Sequence, residues 1–132
     1  MFRKIVVSFS VRFTYVIQPD KDTSEGKIMI LASVETIEGR EITETLGIVR
    51  GNAVRARGIG FDIIAGIRNI FGGEIPEYSK LITTTRDQAT DNMVQAATEA
   101  GADAIVGVRY TTSMISGGIS EILAFGTAVK LK

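Results

Sequence analysis

Apolar and polar positions alternate early in the chain, where Val7, Phe9, Val11, Phe13, Tyr15 and Ile17 take turns with Ser8, Ser10, Arg12, Thr14 and Val16. A period of two predicts a half-buried strand. The polar, turn-rich stretch QPDKDTSEGK then interrupts the pattern. From Met29 a short apolar run reaches Val34, and Glu38-Gly39 marks a turn. Ile42, Glu44, Leu46 and Ile48 next alternate with Thr43, Thr45, Gly47 and Val49, a strand that extends toward Val54. Gly51-Asn52 inside it reads as a bulge or turn.

The period changes near Asp62, whose carboxylate suits the free amides of a helix's first turn. Ile63, Ile64, Ile67, Ile70 and Phe71 fall on one side of this short helix, and Gly72-Gly73 ends it. Pro76 fits the first turn of a longer helix. Tyr78, Leu81, Ile82, Thr85, Ala89, Met93, Ala96, Ala97 and Ala100 recur there at three and four, and Gly101 is the expected left-handed stop. Beyond it, Ala104, Val106, Val108 and Tyr110 share one strand face, with Ile105, Gly107, Arg109 and Thr111 on the other. Gly117-Gly118 makes the turn into a partner strand from Ile119 to Leu131. The predicted class is α+β: a two-layer α/β sandwich, with a small, mainly antiparallel sheet and one long and one short helix.

The last strand is apolar on both faces, with Leu123, Phe125, Val129 and Leu131 on one and Ile122, Ala124 and Ala128 on the other. One long helix covers only one face, so a second copy of the chain is the simplest cover for the other. A closed homo-oligomer is expected, with Ile122 in the subunit contact and a glutamate there disrupting the ring.

Residues 1–28 stand apart as an N-terminal extension, with five Lys/Arg against three Asp/Glu, and a second methionine, Met29, follows the polar stretch. The codons for Glu25-Gly26 can form a purine-rich ribosome-binding sequence just ahead of Met29. Two readings stand: a translated leader before a domain at 29–132, or a real extra strand followed by a loop.

Composition removes many chemistries. The 132 residues include no Cys and no His. That excludes disulfides, thiol nucleophiles and thiolate metal sites, and it removes the commonest general base and transition-metal ligand. Fifteen Lys/Arg balance fifteen Asp/Glu, so no global basic field favours nucleic acid. No run of about 18 uncharged apolar residues spans a membrane. Arg12 closes the early apolar stretch without a small-residue cleavage pattern, so no signal peptide is expected. The expected location is cytoplasmic.

Several segments carry a resemblance. Asp62-Ile63-Ile64-Ala65-Gly66-Ile67-Arg68-Asn69-Ile70-Phe71-Gly72-Gly73, with Tyr78 near the start of the next helix, resembles the signature of the YbjQ-like proteins. This uncharacterised family is commonly labelled heavy-metal-binding. Ala100-Gly101-Ala102-Asp103-Ala104-Ile105-Val106-Gly107 and Gly126-Thr127-Ala128-Val129-Lys130 resemble its later motifs. Ile37-Glu38-Gly39-Arg40 and Leu46-Gly47-Ile48-Val49-Arg50-Gly51 resemble its opening. The resemblance covers residues 29–132 and implies a dodecin-like subunit in pentameric rings, sometimes stacked into decamers. Some relatives bind a soft element through a cysteine; this chain has none, so no functional residue transfers.

Candidate chemistry is sparse. Arg55-Ala56-Arg57-Gly58-Ile59-Gly60 offers guanidiniums and backbone amides before a helix, a setting that can hold an anion. Ile63 stands where a dinucleotide motif needs its third glycine, however, and Asp62 places a negative charge where phosphate would sit. A tight strand-to-helix connection is the preferred reading. Glu35, Glu38, Glu41 and Glu44 crowd one segment, and Asp87 and Asp91 are four apart on a helix; either group could hold a hard cation, but both read as solvated acids. Acid–base catalysis would need Asp/Glu, Lys or Tyr110, and no pairing of these is visible. Thr83-Thr84-Thr85 is a poor helix former rather than a nucleophile motif. Gly66 and the alanines of the long helix read as packing positions. No catalytic residue, metal ligand or cofactor is assigned. The expected function is a homo-oligomeric scaffold or small-ligand-binding module without catalysis; the alternative is an enzyme whose site forms between subunits from Arg and Asp/Glu.

Overall fold

A computed structural model of the chain describes residues 4–9, 12–17, 28–56 and 76–132. The strands are β1 (Lys4–Phe9), β2 (Arg12–Ile17), β3 (Ile28–Leu31), β4 (Ile42–Ala56), β5 (Ala104–Ser116) and β6 (Ile119–Leu131). The helix α1 (Pro76–Glu99) lies between β4 and β5 in sequence. The six strands form one sheet in the order β1-β2-β3-β5-β6-β4. Only β3 and β5 run parallel; the other neighbours are antiparallel. The fold is α+β, as the periodicity predicts. The short helix expected at 62–71, with its Asp62 cap, lies outside the described residues.

The early alternation resolves into a hairpin rather than one strand. Phe9 pairs with Arg12, and β2 then pairs with β3 through Phe13–Leu31 and Val16–Ile28. Unbroken alternation cannot reveal a reversal of direction, because the period continues across it.

The helix ends as its sequence requires. Gly101 takes φ +81, and the Ala102 and Gly101 amides donate to the carbonyls of Ala97 and Thr98, both at 3.0 Å. This reciprocal pair satisfies carbonyls that the helix would otherwise leave open. Ala102, fully buried, joins Ala97 in the core. The threonines are accommodated by back-bonding: Thr84, Thr85, Thr90 and Thr98 each donate a hydroxyl to the carbonyl four residues earlier, at 2.7–2.9 Å. Thr85 and Thr90 can therefore be buried without an unsatisfied hydroxyl.

The main core lies between α1 and the sheet. Ala89, Met93, Val94 and Ala97 of the helix pack with Met29, Ala53, Ile105, Ile122, Ala124 and Ala128. Gly51 sets the separation of the layers. A side-chain carbon there would strike the backbone of Ala89, Asn92 and Met93. Gly51-Asn52 is therefore not a bulge; β4 runs straight through it, paired with Ala124 and Leu123. The Asn92 side chain donates to the Asn52 carbonyl at 2.8 Å and ties the helix to this edge strand.

The bulges lie elsewhere. Register shifts occur between Thr45 and Gly47 and between Val106 and Arg109, with two more between Ile42 and Glu44 and between Met114 and Ser116. The first puts Leu46 and Val49 together on the helix side and leaves Ile48 outside, 80% exposed. At the second, Gly107 has φ +62, a conformation that suits glycine. Ala104 and Val106 thereby fall in one cluster and Val108 in the other, which breaks the single face expected for them.

Among the described residues, the face opposite α1 is only partly covered. Ile37 packs over Ala104, Val106 and Val129 with Ile30, Ala32, Ile42 and Leu131. The Arg109 guanidinium anchors this segment through the Ser33 carbonyl at 2.7 Å. Ile122, by contrast, is 3% exposed beneath the helix, so its assignment to a subunit contact is overturned. Small residues, Ala124 and Ala128, line the side that the close helix occupies; Leu123 and Phe125 point the other way and stay half-buried.

Replacing Gly51 by alanine tests the layer separation. Glycine to alanine within a strand would ordinarily gain roughly 0.5–1 kcal/mol, but overpacking against rigid backbone costs typically ~1–3 kcal/mol. The variant is expected to melt several degrees below the parent in thermal denaturation followed by circular dichroism; an equal or higher Tm would refute the close contact.

Candidate functional site

A cavity of about 180 Å³ opens between the N-terminal half of α1 and the distal ends of β4, β5 and β6. Leu81, Ile82 and Thr85 descend from the helix. Thr112, Ser120 and Ile122 rise from the sheet, with Gly118 at the β5–β6 turn. The cross-strand register explains the grouping: Thr112 faces Ile122, Ile122 faces Ala53, and Ser120 faces Arg55. Positions of alternate parity on three strands thus meet on the helix side. Arg55 supplies the cation among the described lining residues, and one of its guanidinium nitrogens sits 3.4 Å from the Val54 carbonyl.

Of the anion-binding segment suggested by sequence, Arg55 and the backbone of Ala56 are described; Arg57, Gly58, Ile59, Gly60 and Asp62 lie outside the described residues. Gly66 lies outside them too. The other lining residues carried no signal before the register was known, because hydroxyls and aliphatics on strands are ordinary.

The remaining candidates do not converge. Tyr110 meets Thr90, hydroxyl to hydroxyl, at 3.0 Å, and Thr90 donates to the Arg86 carbonyl. That is a chain of structural hydroxyls between β5 and α1, not an acid–base pair. Glu44 lies 3.9 Å from Lys130 in an exposed ion pair, worth about 0–1 kcal/mol. Glu38, Asp87 and Asp91 each have partners of their own. Among the described residues, no group of three or more Asp or Glu could hold a metal ion.

The open face of the sheet holds a second arrangement. Arg50 on β4 and Arg109 on β5 both stand opposite Phe125 on β6. Asn52 and Thr111 flank Leu123 in the next row, and the Asn52 amide donates to Glu121 at 3.0 Å. Ile48 and Val54, respectively 80% and 45% exposed, extend the apolar part. Among the described residues, no helix is long and apolar enough to cross a membrane.

Comparison with known proteins places this fold. The chain matches, over residues 29–132, the YbjQ-like family model described as "Putative heavy-metal-binding". The sequence has no thiol or imidazole; its candidate donors are carboxylates, which prefer hard cations, and methionine thioethers. The UPF0145 protein of Psychromonas ingrahamii is 57% identical over 104 residues, covering 79% of this chain and 99% of the relative. That of Halorubrum lacusprofundi is 53% identical over 104 residues, covering 79% and 100%. The Methanosarcina acetivorans protein is 50% identical over 103, covering 78% and 97%. A crystal structure of a DUF74-family protein of unknown function from Pediococcus pentosaceus shares the fold. Its TM-score is 0.58 at 15% identity, over 79% of this chain and 98% of that one. The segments that resembled YbjQ-like motifs thus lie within a match spanning the chain from Met29 onward, and the chain belongs to this family.

Proposed function

We propose that this chain is a homo-oligomeric scaffold and small-ligand-binding module without catalysis of its own. One observation supports the assembly: among the described residues, the sheet face opposite α1 presents Ile48, Val54, Leu123 and Phe125 beyond the reach of that helix. Leaving that surface wet forfeits about 25 cal/mol per Å² of apolar area, a large loss against a total stability of roughly 5–15 kcal/mol. A closed ring covers the face on every subunit equally and leaves no end for fibre growth. Five subunits, or ten in stacked rings, is the count that the resemblance implies; the physics asks only for closure. The cytoplasm is the location this reading assigns. In this reading residues 1–28 are dispensable for assembly although β1 and β2 extend the sheet past β3. A chain beginning at Met29 is expected to assemble as the full chain does, with a lower Tm from the lost β2–β3 pairing.

Arg50, Arg109 and Glu121 also lie on the open face. This keeps the alternative of an inter-subunit enzyme site open to a turnover screen on the assembled protein.

Two variants separate the faces. Phe125→Glu places a charge on the open face and is expected to give smaller, still folded species in sedimentation velocity. Ile122→Glu places it beneath α1 and is expected to lose the fold's cooperative melt. A Phe125→Glu protein that remains fully assembled would overturn the assignment of this face. For metal, calorimetry with untagged protein is expected to show no stoichiometric micromolar zinc binding, since the chain has no thiol or imidazole. Tight zinc binding would contradict the reading of the donor set.

A further inference from the structure

We infer that the cavity beneath the N-terminal half of α1 binds a compact apolar monocarboxylate, with Arg55 as its carboxylate receptor. The inference names a ligand class for the binding half of the proposed function and rests on that half.

Size sets the first limit on the ligand. The cavity measures about 180 Å³, and an apolar protein cavity of roughly 150 Å³ accommodates benzene. A single ring or a short branched chain therefore fits, whereas a nucleotide or long acyl chain does not. Chemistry narrows the class further. Leu81, Ile82 and Ile122 give the slot an apolar body that suits a hydrocarbon. Thr85, Thr112 and Ser120 bring hydroxyls, and Arg55 brings a planar guanidinium. No carboxylate lines the cavity among the described residues, so its charge is single and positive.

Position supports the same choice. Arg55 stands directly opposite Ser120 across the β4–β6 ladder, one residue from the end of β4. Guanidinium and hydroxyl therefore lie at one side of the slot, while Ile122 and Leu81 form its interior with Thr85, which is 3% exposed. The Thr85 hydroxyl already donates to the Leu81 carbonyl at 2.7 Å, which leaves it an acceptor with no proton for a ligand. A carboxylate is thus best received by Arg55 and by the Ser120 and Thr112 hydroxyls, all able to donate. A bidentate guanidinium–carboxylate pair is about twice as strong as a neutral hydrogen bond, so charge should dominate the choice among ligands of equal shape.

The test compares benzoate with its neutral isostere benzamide by titration calorimetry and two-dimensional NMR on the full chain. Benzoate is expected to bind at least tenfold more tightly and to shift the amides of residues 81–85 and 118–122. Arg55→Gln is expected to remove that preference by weakening benzoate to the affinity of benzamide, with the melting temperature little changed. Ile122→Ala, which enlarges the slot, supplies a second variant: it should weaken both probes together while the preference for benzoate persists. No shift from millimolar benzoate, equal affinity for the two probes, or a preference that survives Arg55→Gln would each overturn the inference. Sedimentation on the same samples keeps the two ideas apart. An assembled protein that ignores benzoate defeats only the ligand class, whereas a monomer that binds it defeats only the assembly.

Discussion

The contact on which the rest depends is the approach of α1 to β4 at Gly51. Helix backbone lies so close to this strand that no side chain fits between them. Alanines gather in this core, Ala53, Ala89, Ala97, Ala124 and Ala128, with Met93, Ile105 and Ile122 filling the space between them. Close approach gains dispersion contacts at short range for both layers. It also fixes which side of the sheet receives the helix. That choice is not reversible, because Leu123 and Phe125 could not be placed under a helix held at this distance.

Two consequences follow from the geometry. On the covered side, α1 stays close at Gly51, while larger residues, Leu81 and Ile82, line its N-terminal half; the cavity sits there, bounded by the β5–β6 turn. On the uncovered side, the segment through Ile37 shields only the end of the sheet near Ala104 and Val129. The remaining face mixes apolar residues with Arg50, Arg109 and Glu121, a composition suited to a surface that is both buried and specific. Charged groups opposite an aromatic ring can contribute there through cation–π contacts.

Much of the fold was legible from residues alone, and the misread strand positions share a physical cause. Pro76 and Gly101 delimit the long helix, and Gly117-Gly118 places the β5–β6 turn, because each residue has few alternative uses at a boundary. Glycine inside a strand has several. Gly51 reads as a bulge and is instead a packing position; Gly47 and Gly107 read as ordinary strand positions and mark bulges. Each bulge exchanges the faces of the residues beyond it, which is why Ile48 and Val108 lie opposite to the sides that strict alternation gives them. The misplacement of Ile122 has a different origin. Alternation separates two sets of side chains but does not say which set the helix covers; the small volumes of Ala124 and Ala128 hold that information. The cavity was not legible, since its residues come together only through cross-strand register.

The central claim is that a helix held against Gly51 leaves the opposite sheet face to be covered by other copies of the chain. Native mass spectrometry of the unaltered protein across a range of low micromolar concentrations tests this most directly. The account predicts a single closed oligomer whose stoichiometry does not change with concentration. A monomer persisting throughout that range would contradict it.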